Sequence, residues 1–176
     1  FPGQVALKLC PDILSRIKMP KYIIAVTGSN GKTSTVEMIA HILLKNGKKV
    51  AWNKEGSNQI EGVTTLVLSN SSLFGKVKSD ILLIESDERF AKYTFKYITP
   101  THYVITNLYR DQLTRNGHPE WVYDAISQSI HPETKLILNA DDPLVSLFGY
   151  GKKDVIWFGA DKLSTDTESL DSVYND

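Results

Sequence analysis

The sequence contains little cysteine, no net charge and no long apolar run. Cys10 is its single cysteine, so neither an intrachain disulfide nor a multi-cysteine zinc site can form within these residues. Its 20 basic side chains balance 20 acidic ones, which argues against nucleic acid as a partner, since such binding needs an excess of positive charge. No apolar stretch reaches the length that a membrane-spanning helix requires.

Short apolar runs alternate with amphipathic stretches along most of the chain. Because the runs are apolar throughout, they predict strands of a parallel sheet whose two faces are both covered by helices. The predicted strands are residues 22–27, 48–53, 81–84, 102–106, 136–138 and 155–158. We therefore predict a three-layer α/β fold of the P-loop type, with a mostly parallel sheet flanked by helices and ligands at the carboxyl ends of the strands.

A glycine-rich turn, Thr-Gly-Ser-Asn-Gly-Lys-Thr-Ser-Thr at 27–35, separates the first of these strands from a predicted helix. Gly28 and Gly31 let the backbone approach an anion closely, and the amides of such a turn point at phosphate oxygens. Lys32 can neutralise the β and γ phosphates, and the Thr33 hydroxyl can complete a magnesium shell. The turn is a shortened variant, since Val26 stands where the common pattern has glycine. The predicted nucleotide-binding residues are Gly28, Ser29, Asn30, Gly31, Lys32, Thr33 and Ser34.

Glu85 follows the predicted strand 81–84 directly. A carboxylate at the tip of a buried strand beside a phosphate loop is suited to bind the magnesium ion of a nucleotide. We therefore predict Glu85 and Thr33 as metal ligands, and Lys32 and Glu85 as the catalytic residues. The next three residues, Ser-Asp-Glu at 86–88, are also good capping residues for a helix that begins near Arg89.

A polar segment, residues 106–117, follows the predicted strand 102–106. Asn107, Arg110 and Gln112 within it can face a phosphate or an acyl group. A solvated turn is the alternative interpretation, because mixed-charge loops are commonly exposed.

Four segments in order resemble the Mur ligase family. GSNGKTST at 28–35 resembles its phosphate loop, LLIESDE at 82–88 its magnesium-binding strand, ITNLYRDQLTRNG at 105–117 its T-N-x-x-x-D-H-x-D-R-x-G segment, and LNADDP at 138–143 a segment at the far side of the nucleotide site. Ser29 and Thr114 depart from the residues that the family commonly has there. The resemblance implies that Asn139 and Asp142 contact the nucleotide.

Two substitutions point to one branch of this family. Gln112 stands where the amino-acid-adding members have a metal-binding histidine, and residues 120–130 lack the lysine that those members carboxylate. Together with the segments 2–4 and 53–58, these features make the chain similar to the MurT branch, the ligase-like subunits of lipid II isoglutaminyl synthase.

The MurT resemblance implies an activity. ATP with Mg²⁺ would phosphorylate the D-glutamate α-carboxyl of the lipid II stem peptide, and ammonia from a GatD-like glutaminase subunit would convert it to D-isoglutamine. It also implies a cytoplasmic location at the inner face of the membrane. Asn58, Asn107, Arg110 and Gln112 are the residues expected to contact substrate.

The resemblance also divides the chain into an N-terminal arm (1–20), an ATP-binding domain (21–159) and a polar tail (160–176). The tail is expected to lead into a zinc ribbon and a C-terminal domain that these residues lack, so Zn²⁺ is expected only there. Two alternatives remain: another amide ligase of the family, of the folylpolyglutamate or cyanophycin synthetase kind, and a nucleotide-binding module without catalytic activity.

Overall fold

The computed structural model describes residues 2–53, 57–108 and 119–160. Its strands are β1 (Tyr22–Thr27), β2 (Val50–Trp52), β3 (Ile81–Glu85), β4 (His102–Ile105), β5 (Lys135–Asn139) and β6 (Val155–Phe158). Its helices are α1 (Pro2–Leu9), α2 (Ile13–Arg16), α3 (Lys32–Lys45), α4 (Ile60–Ser69), α5 (Ala91–Phe95), α6 (Pro119–Ser127) and α7 (Pro143–Leu147).

The strands form one six-stranded sheet in the order β2-β3-β1-β4-β5-β6, and every pair of neighbours runs parallel. The predicted parallel α/β fold is confirmed. Strand β1 lies between β3 and β4, so the chain leaves it toward one side of the sheet and later returns on the other. Open parallel sheets bind ligands at such a switch point, beyond the carboxyl ends of the strands.

The two faces of the sheet are covered by different helices. On one face, Val36 and Ala40 of α3 pack against Val26 and Leu83. On the other face, α4 covers the β3 side through residues such as Val63, and α5, α6 and α7 cover the β4–β5 side. The central strands are therefore buried on both faces, which explains why they are apolar throughout rather than alternating.

Helix α4 was not predicted, because its sequence, IEGVTTLVLS, is rich in β-branched residues that favour strands. Tertiary contacts stabilise it as a helix. Helix α1 lies against it, and the Gly3 amide donates to Thr65 Oγ1 at 2.9 Å. A Cβ atom on Gly3 would lie 2.1 Å from the Glu61 carbonyl oxygen, so only glycine allows this approach. Residues 2–16, predicted as part of an arm, contain the two helices α1 and α2.

Other boundaries differ from the prediction by a few residues. Helix α5 begins at Ala91 rather than near Arg89, and β3 extends to include Glu85. The division of the chain into arm, domain and tail stays a prediction. No helix within the described residues is long and apolar enough to cross a membrane.

Candidate functional site: the carboxyl edge of the central strands

The glycine-rich turn lies at the switch point, between β1 and α3. Gly28 has φ 139° and Gly31 has φ 78°, backbone conformations that favour glycine. Gly31 also precedes the first turn of α3, so the unpaired amides of that turn face the space beyond the sheet. A Cβ atom on Gly28 would lie 2.1 Å from Thr106 Oγ1, which shows how closely the turn approaches the loop after β4.

Asn107 holds the shape of this turn. Its carbonyl oxygen accepts from the Ser29 amide at 2.8 Å, its Oδ1 accepts from the Asn30 amide at 2.9 Å, and its Nδ2 donates to the Asn30 carbonyl at 3.0 Å. The Thr106 hydroxyl lies 3.0 Å from the same Asn30 carbonyl. The structure thus places Asn107 against the phosphate loop, and its predicted contact with substrate stays a prediction.

Thr33 and Glu85 lie side by side, as the magnesium prediction requires. The Thr33 hydroxyl donates to Glu85 Oε2 at 2.9 Å, and Glu85 is only 3% exposed. Asn53, just after β2, fixes the backbone of Glu85: its Oδ1 accepts from the Glu85 amide at 2.8 Å, and its Nδ2 donates to the Glu85 carbonyl at 3.1 Å.

This pair fits magnesium through its donor chemistry. Magnesium prefers hard oxygen ligands, and it is commonly held by one or two protein oxygens with substrate phosphates and water. The Thr33 hydroxyl and the Glu85 carboxylate are such ligands beside a phosphate loop. Within the described residues, no group of three His, Cys, Asp or Glu side chains forms a metal site from protein atoms alone.

Lys32 is held by three oxygens. Its Nζ donates to the Gly28 carbonyl, to the Ser29 carbonyl at 3.4 Å and to Glu88 Oε2 at 3.2 Å. The Lys32 and Glu88 side chains are 15% and 4% exposed, so the ion pair is largely shielded from water. The sequence interpretation treated Glu88 as a capping residue and missed this contact.

The remaining predicted site residues are divided between the described structure and the rest of the chain. Ser34 lies in the first turn of α3. Asn58 contributes its carbonyl oxygen to the Asp87 amide at 3.2 Å. Arg110 and Gln112 lie outside the described residues.

Asn139 and Asp142 make internal contacts in the loop after β5. Asn139 Nδ2 donates to the Thr106 carbonyl at 2.9 Å. The Asp142 carboxylate caps α7, accepting from the Leu144 and Val145 amides, and it also accepts from the Leu108 amide at 2.7 Å. These contacts give Asp142 a structural role, and the nucleotide contacts of both residues stay predictions.

Two titratable groups near the site have shifted pKa values. Asp87, which pairs with Arg89 at 3.1 Å, raises the pKa of the Arg89 guanidinium. Burial raises the pKa of the Tyr103 hydroxyl, which accepts from Ser129 Oγ at 3.3 Å. Near neutral pH, the Arg89 guanidinium therefore stays positively charged and the Tyr103 hydroxyl stays protonated and uncharged.

Residues 26–175 match the family described as Mur ligase middle domain. The chain belongs to the Mur ligase family. Among curated relatives of this family, it is 35% identical over 161 residues to subunit MurT of lipid II isoglutaminyl synthase (glutamine-hydrolyzing) from Staphylococcus aureus strain COL, covering 90% of this chain and 36% of that protein. For the MurT of Streptococcus pneumoniae strain ATCC BAA-255 / R6, the identity is 38%, covering 82% of this chain and 32% of the relative. The chain thus spans about a third of these relatives.

Solved Mur ligases share this fold. MurF from Acinetobacter baumannii superimposes with a TM-score of 0.65 at 21% identity, covering 89% of this chain and 34% of that one. MurF from Thermotoga maritima, solved in complex with ADP, gives 0.64 at 21% identity, covering 89% and 36%. A pseudomurein peptide ligase type C from Methanothermus fervidus gives 0.65 at 28% identity, covering 84% and 28%.

Proposed function

We propose that this chain is the ATP-binding part of an ATP-dependent carbon–nitrogen ligase in peptidoglycan synthesis. Its reaction would be amidation of the D-glutamate α-carboxyl in the lipid II stem peptide to D-isoglutamine. The observation that carries the proposal is the identity of 35% and 38% to two MurT subunits over 90% and 82% of the chain. Gln112, where amino-acid-adding members have a metal-binding histidine, supports the same branch.

ATP would bind with its phosphates in the turn between β1 and α3. The amides of this turn and the amine of Lys32 would contact the β and γ phosphates. Thr33 and Glu85 would hold Mg²⁺, which when bound neutralises charge on the transferred phosphoryl group. Glu85 suits this role because Asn53 holds its backbone on both sides, so its carboxylate is already positioned.

The reaction would proceed in two displacements. A carboxylate oxygen of D-glutamate attacks the γ phosphorus, and the bond from that phosphorus to the β–γ bridging oxygen breaks. ADP departs, and the substrate carries an acyl phosphate. Ammonia then attacks the acyl carbon, the carbon–oxygen bond to phosphate breaks, and loss of a proton from nitrogen gives the amide. Lys32 would stabilise the charge on the phosphoryl oxygens during the first displacement.

The proposed partner is a GatD-like glutaminase that releases ammonia from glutamine. The lipid-linked substrate would place the enzyme at the cytoplasmic face of the membrane. Substrate contacts by Asn58, Asn107, Arg110 and Gln112 are part of this proposal, and zinc would belong to a ribbon outside these residues.

The test is glutamine-driven amidation of lipid II by the full-length protein with its glutaminase subunit. We expect amidation to require ATP and to fall at least about a hundredfold in Lys32→Ala and in Glu85→Gln, because each change removes charge stabilisation at the phosphoryl group. Lys45→Ala, at the exposed far end of α3, is the matched control and should keep full activity. Unchanged amidation in both site variants would refute the site assignment. ATP binding without any amide product would instead identify a catalytically silent module.

A further inference from the structure

The edge of the sheet opposite the phosphate loop is lined with exposed lysines. Lys21 precedes β1, Lys48 and Lys49 precede β2, and Lys78 lies shortly before β3. Because parallel strands begin at the same edge, these side chains belong to one surface. We call this surface the basic edge; its members are Lys18, Lys21, Lys48, Lys49, Lys76 and Lys78.

Part of the basic edge surrounds a cavity of about 500 Å³. Lys18, Lys21, Lys48 and Lys76 line it, together with Asp80. Within the described part of the chain, no carboxylate forms an ion pair with a lysine of the basic edge. Asp80 Oδ2 instead accepts from the Lys49 backbone amide at 2.8 Å. The positive charge of the basic edge is therefore not neutralised by ion pairs, although the net charge of the whole chain is zero.

A turn carrying two apolar side chains projects beside these lysines. Leu73 and Phe74 are 103% and 97% exposed. The turn has a defined shape, because the Ser72 amide donates to the Lys76 carbonyl at 2.8 Å. It is fastened to the chain before β1, where the Lys18 amide donates to the Gly75 carbonyl at 2.8 Å. These two hydrogen bonds place the apolar tip directly beside Lys18 and Lys76.

We propose that the basic edge and the Leu73–Phe74 tip dock this protein on an anionic lipid bilayer. The charge is complementary, since lysines near a bilayer are attracted to acidic headgroups. The shape also fits, because a projecting apolar pair enters the headgroup region without needing a matching groove, as apolar side chains of interfacial segments do. Large exposed apolar side chains rimmed by charge commonly mark an interaction surface.

This orientation leaves the phosphate loop facing away from the bilayer. The six residues of β1 separate the basic edge from that loop, a distance of about 20 Å at the usual rise per strand residue. The nucleotide site would therefore remain open to water and to ATP. Docking on lipid needs neither ATP nor the amidation reaction, so it can be tested on vesicles that contain no substrate.

The experiment is flotation of the full-length protein, with its partner subunit, on vesicles without lipid II. We expect binding to phosphatidylcholine vesicles that contain phosphatidylglycerol, and at least tenfold less binding to pure phosphatidylcholine or in high salt. Leu73→Ser with Phe74→Ser, and separately Lys18→Gln with Lys76→Gln, should each reduce binding at least fivefold. These side chains are exposed, so we expect an unchanged melting temperature.

The matched controls carry the same changes elsewhere on the surface. Leu147→Ser on α7 and Lys8→Gln on α1 alter exposed residues outside the basic edge and should bind like the wild type. Absence of vesicle binding would overturn the proposal, as would wild-type binding by both test variants. Loss of the glutaminase subunit from the tip variant, with vesicle binding intact, would assign the tip to that partner instead. Amidation of a water-soluble substrate analogue should persist in the tip variant. Its absence in the wild type would count against the proposed function rather than against docking, and its loss in the tip variant alone would show that the substitutions disturb the enzyme, which leaves the lysine variant to decide on docking.

Discussion

Glu85 and Glu88 at the end of β3 contact different residues of the phosphate loop. Glu85 accepts from the Thr33 hydroxyl, and Glu88 pairs with the Lys32 amine. A phosphate bound in the loop would compete with Glu88 for the same cation, and it would also be repelled by the Glu88 charge. We therefore expect Glu88 to set how readily Lys32 can turn to a bound phosphate.

We expect Glu88→Gln to tighten binding of ADP in the absence of magnesium. The substitution keeps the side-chain shape but removes the charge that competes for Lys32, and the gain should be about two- to fivefold, which corresponds to an ion pair of up to about 1 kcal/mol. Isothermal titration in a chelating buffer measures it. Glu133→Gln, on an exposed turn, is the control. Weaker binding by Glu88→Gln would show that Glu88 instead holds Lys32 in its phosphate-binding position.

For single residues, local sequence patterns led to the candidates but not to their contacts, and the site assignment itself stays a prediction. Lys32, Thr33 and Glu85 could be predicted because a phosphate loop and a strand-end carboxylate have local signatures. The roles of Asn53 and Glu88 depend on how β2 and β3 place them beside the loop, which no local pattern encodes. The available signal was that Asn53 ends the predicted strand 48–53 and that Glu88 lies in the acidic segment after the predicted strand 81–84.

Among the elements, the turn between β1 and α3 depends on its approach to the loop after β4. We expect Gly28→Ala to destabilise the protein by about 2–4 kcal/mol, because backbone strain of about 1–3 kcal/mol is added to a collision with Thr106 Oγ1 at 2.1 Å. Gly31→Ala is the matched control: its φ is 78°, but its Cβ would meet nothing within 4 Å, so it should cost only about 1–2 kcal/mol. Urea unfolding measures both, and equal costs would contradict the account.

Strand β4 begins with His102, which is half-buried. Its burial and the nearby Lys135 charge lower the pKa of its imidazole. The unfolded chain binds a proton near the ordinary value of 6.5, and the folded chain resists it. Above that pH the imidazole is neutral in both states, so His102 does not change the free energy of unfolding. Below it the unfolded chain binds the proton more readily, so the free energy of unfolding decreases as the pH falls. We expect His102→Gln to reduce this decrease, measured as the free energy of unfolding between pH 7.5 and 5.5. Lys135→Gln should reduce it by a smaller amount, and an unchanged pH dependence in His102→Gln would contradict the assignment.

Helix α4 shows where prediction of the elements failed. Val63 and Val67 favour a strand locally, yet both are completely buried against the sheet as part of a helix. The central strands were predictable because burial on both faces leaves a continuous apolar run. The helix was not, because its stability comes from packing against α1 and the sheet rather than from propensity.

Across the whole molecule the net charge is zero, but acidic and basic side chains lie at opposite edges of the sheet. The carboxyl edge carries Glu85, Asp87 and Glu88 beside the phosphate loop, and the opposite edge carries the unneutralised lysines. Composition alone excluded binding by bulk charge, but it could not predict this separation, which arises because all strands of the sheet run in one direction. The fold thus places the proposed nucleotide site and the proposed membrane contact at opposite edges of the sheet.

The central claim is that the phosphate loop, with Thr33 and Glu85, binds magnesium and ATP together. The most direct measurement is the affinity of the protein for ATP with and without Mg²⁺, compared with that of Glu85→Gln and Lys32→Ala. The account predicts that Mg²⁺ strengthens binding in the wild type, that this gain is lost in Glu85→Gln, and that Lys32→Ala binds weakly in both conditions. Wild-type affinity and an undiminished effect of Mg²⁺ in both variants would contradict it.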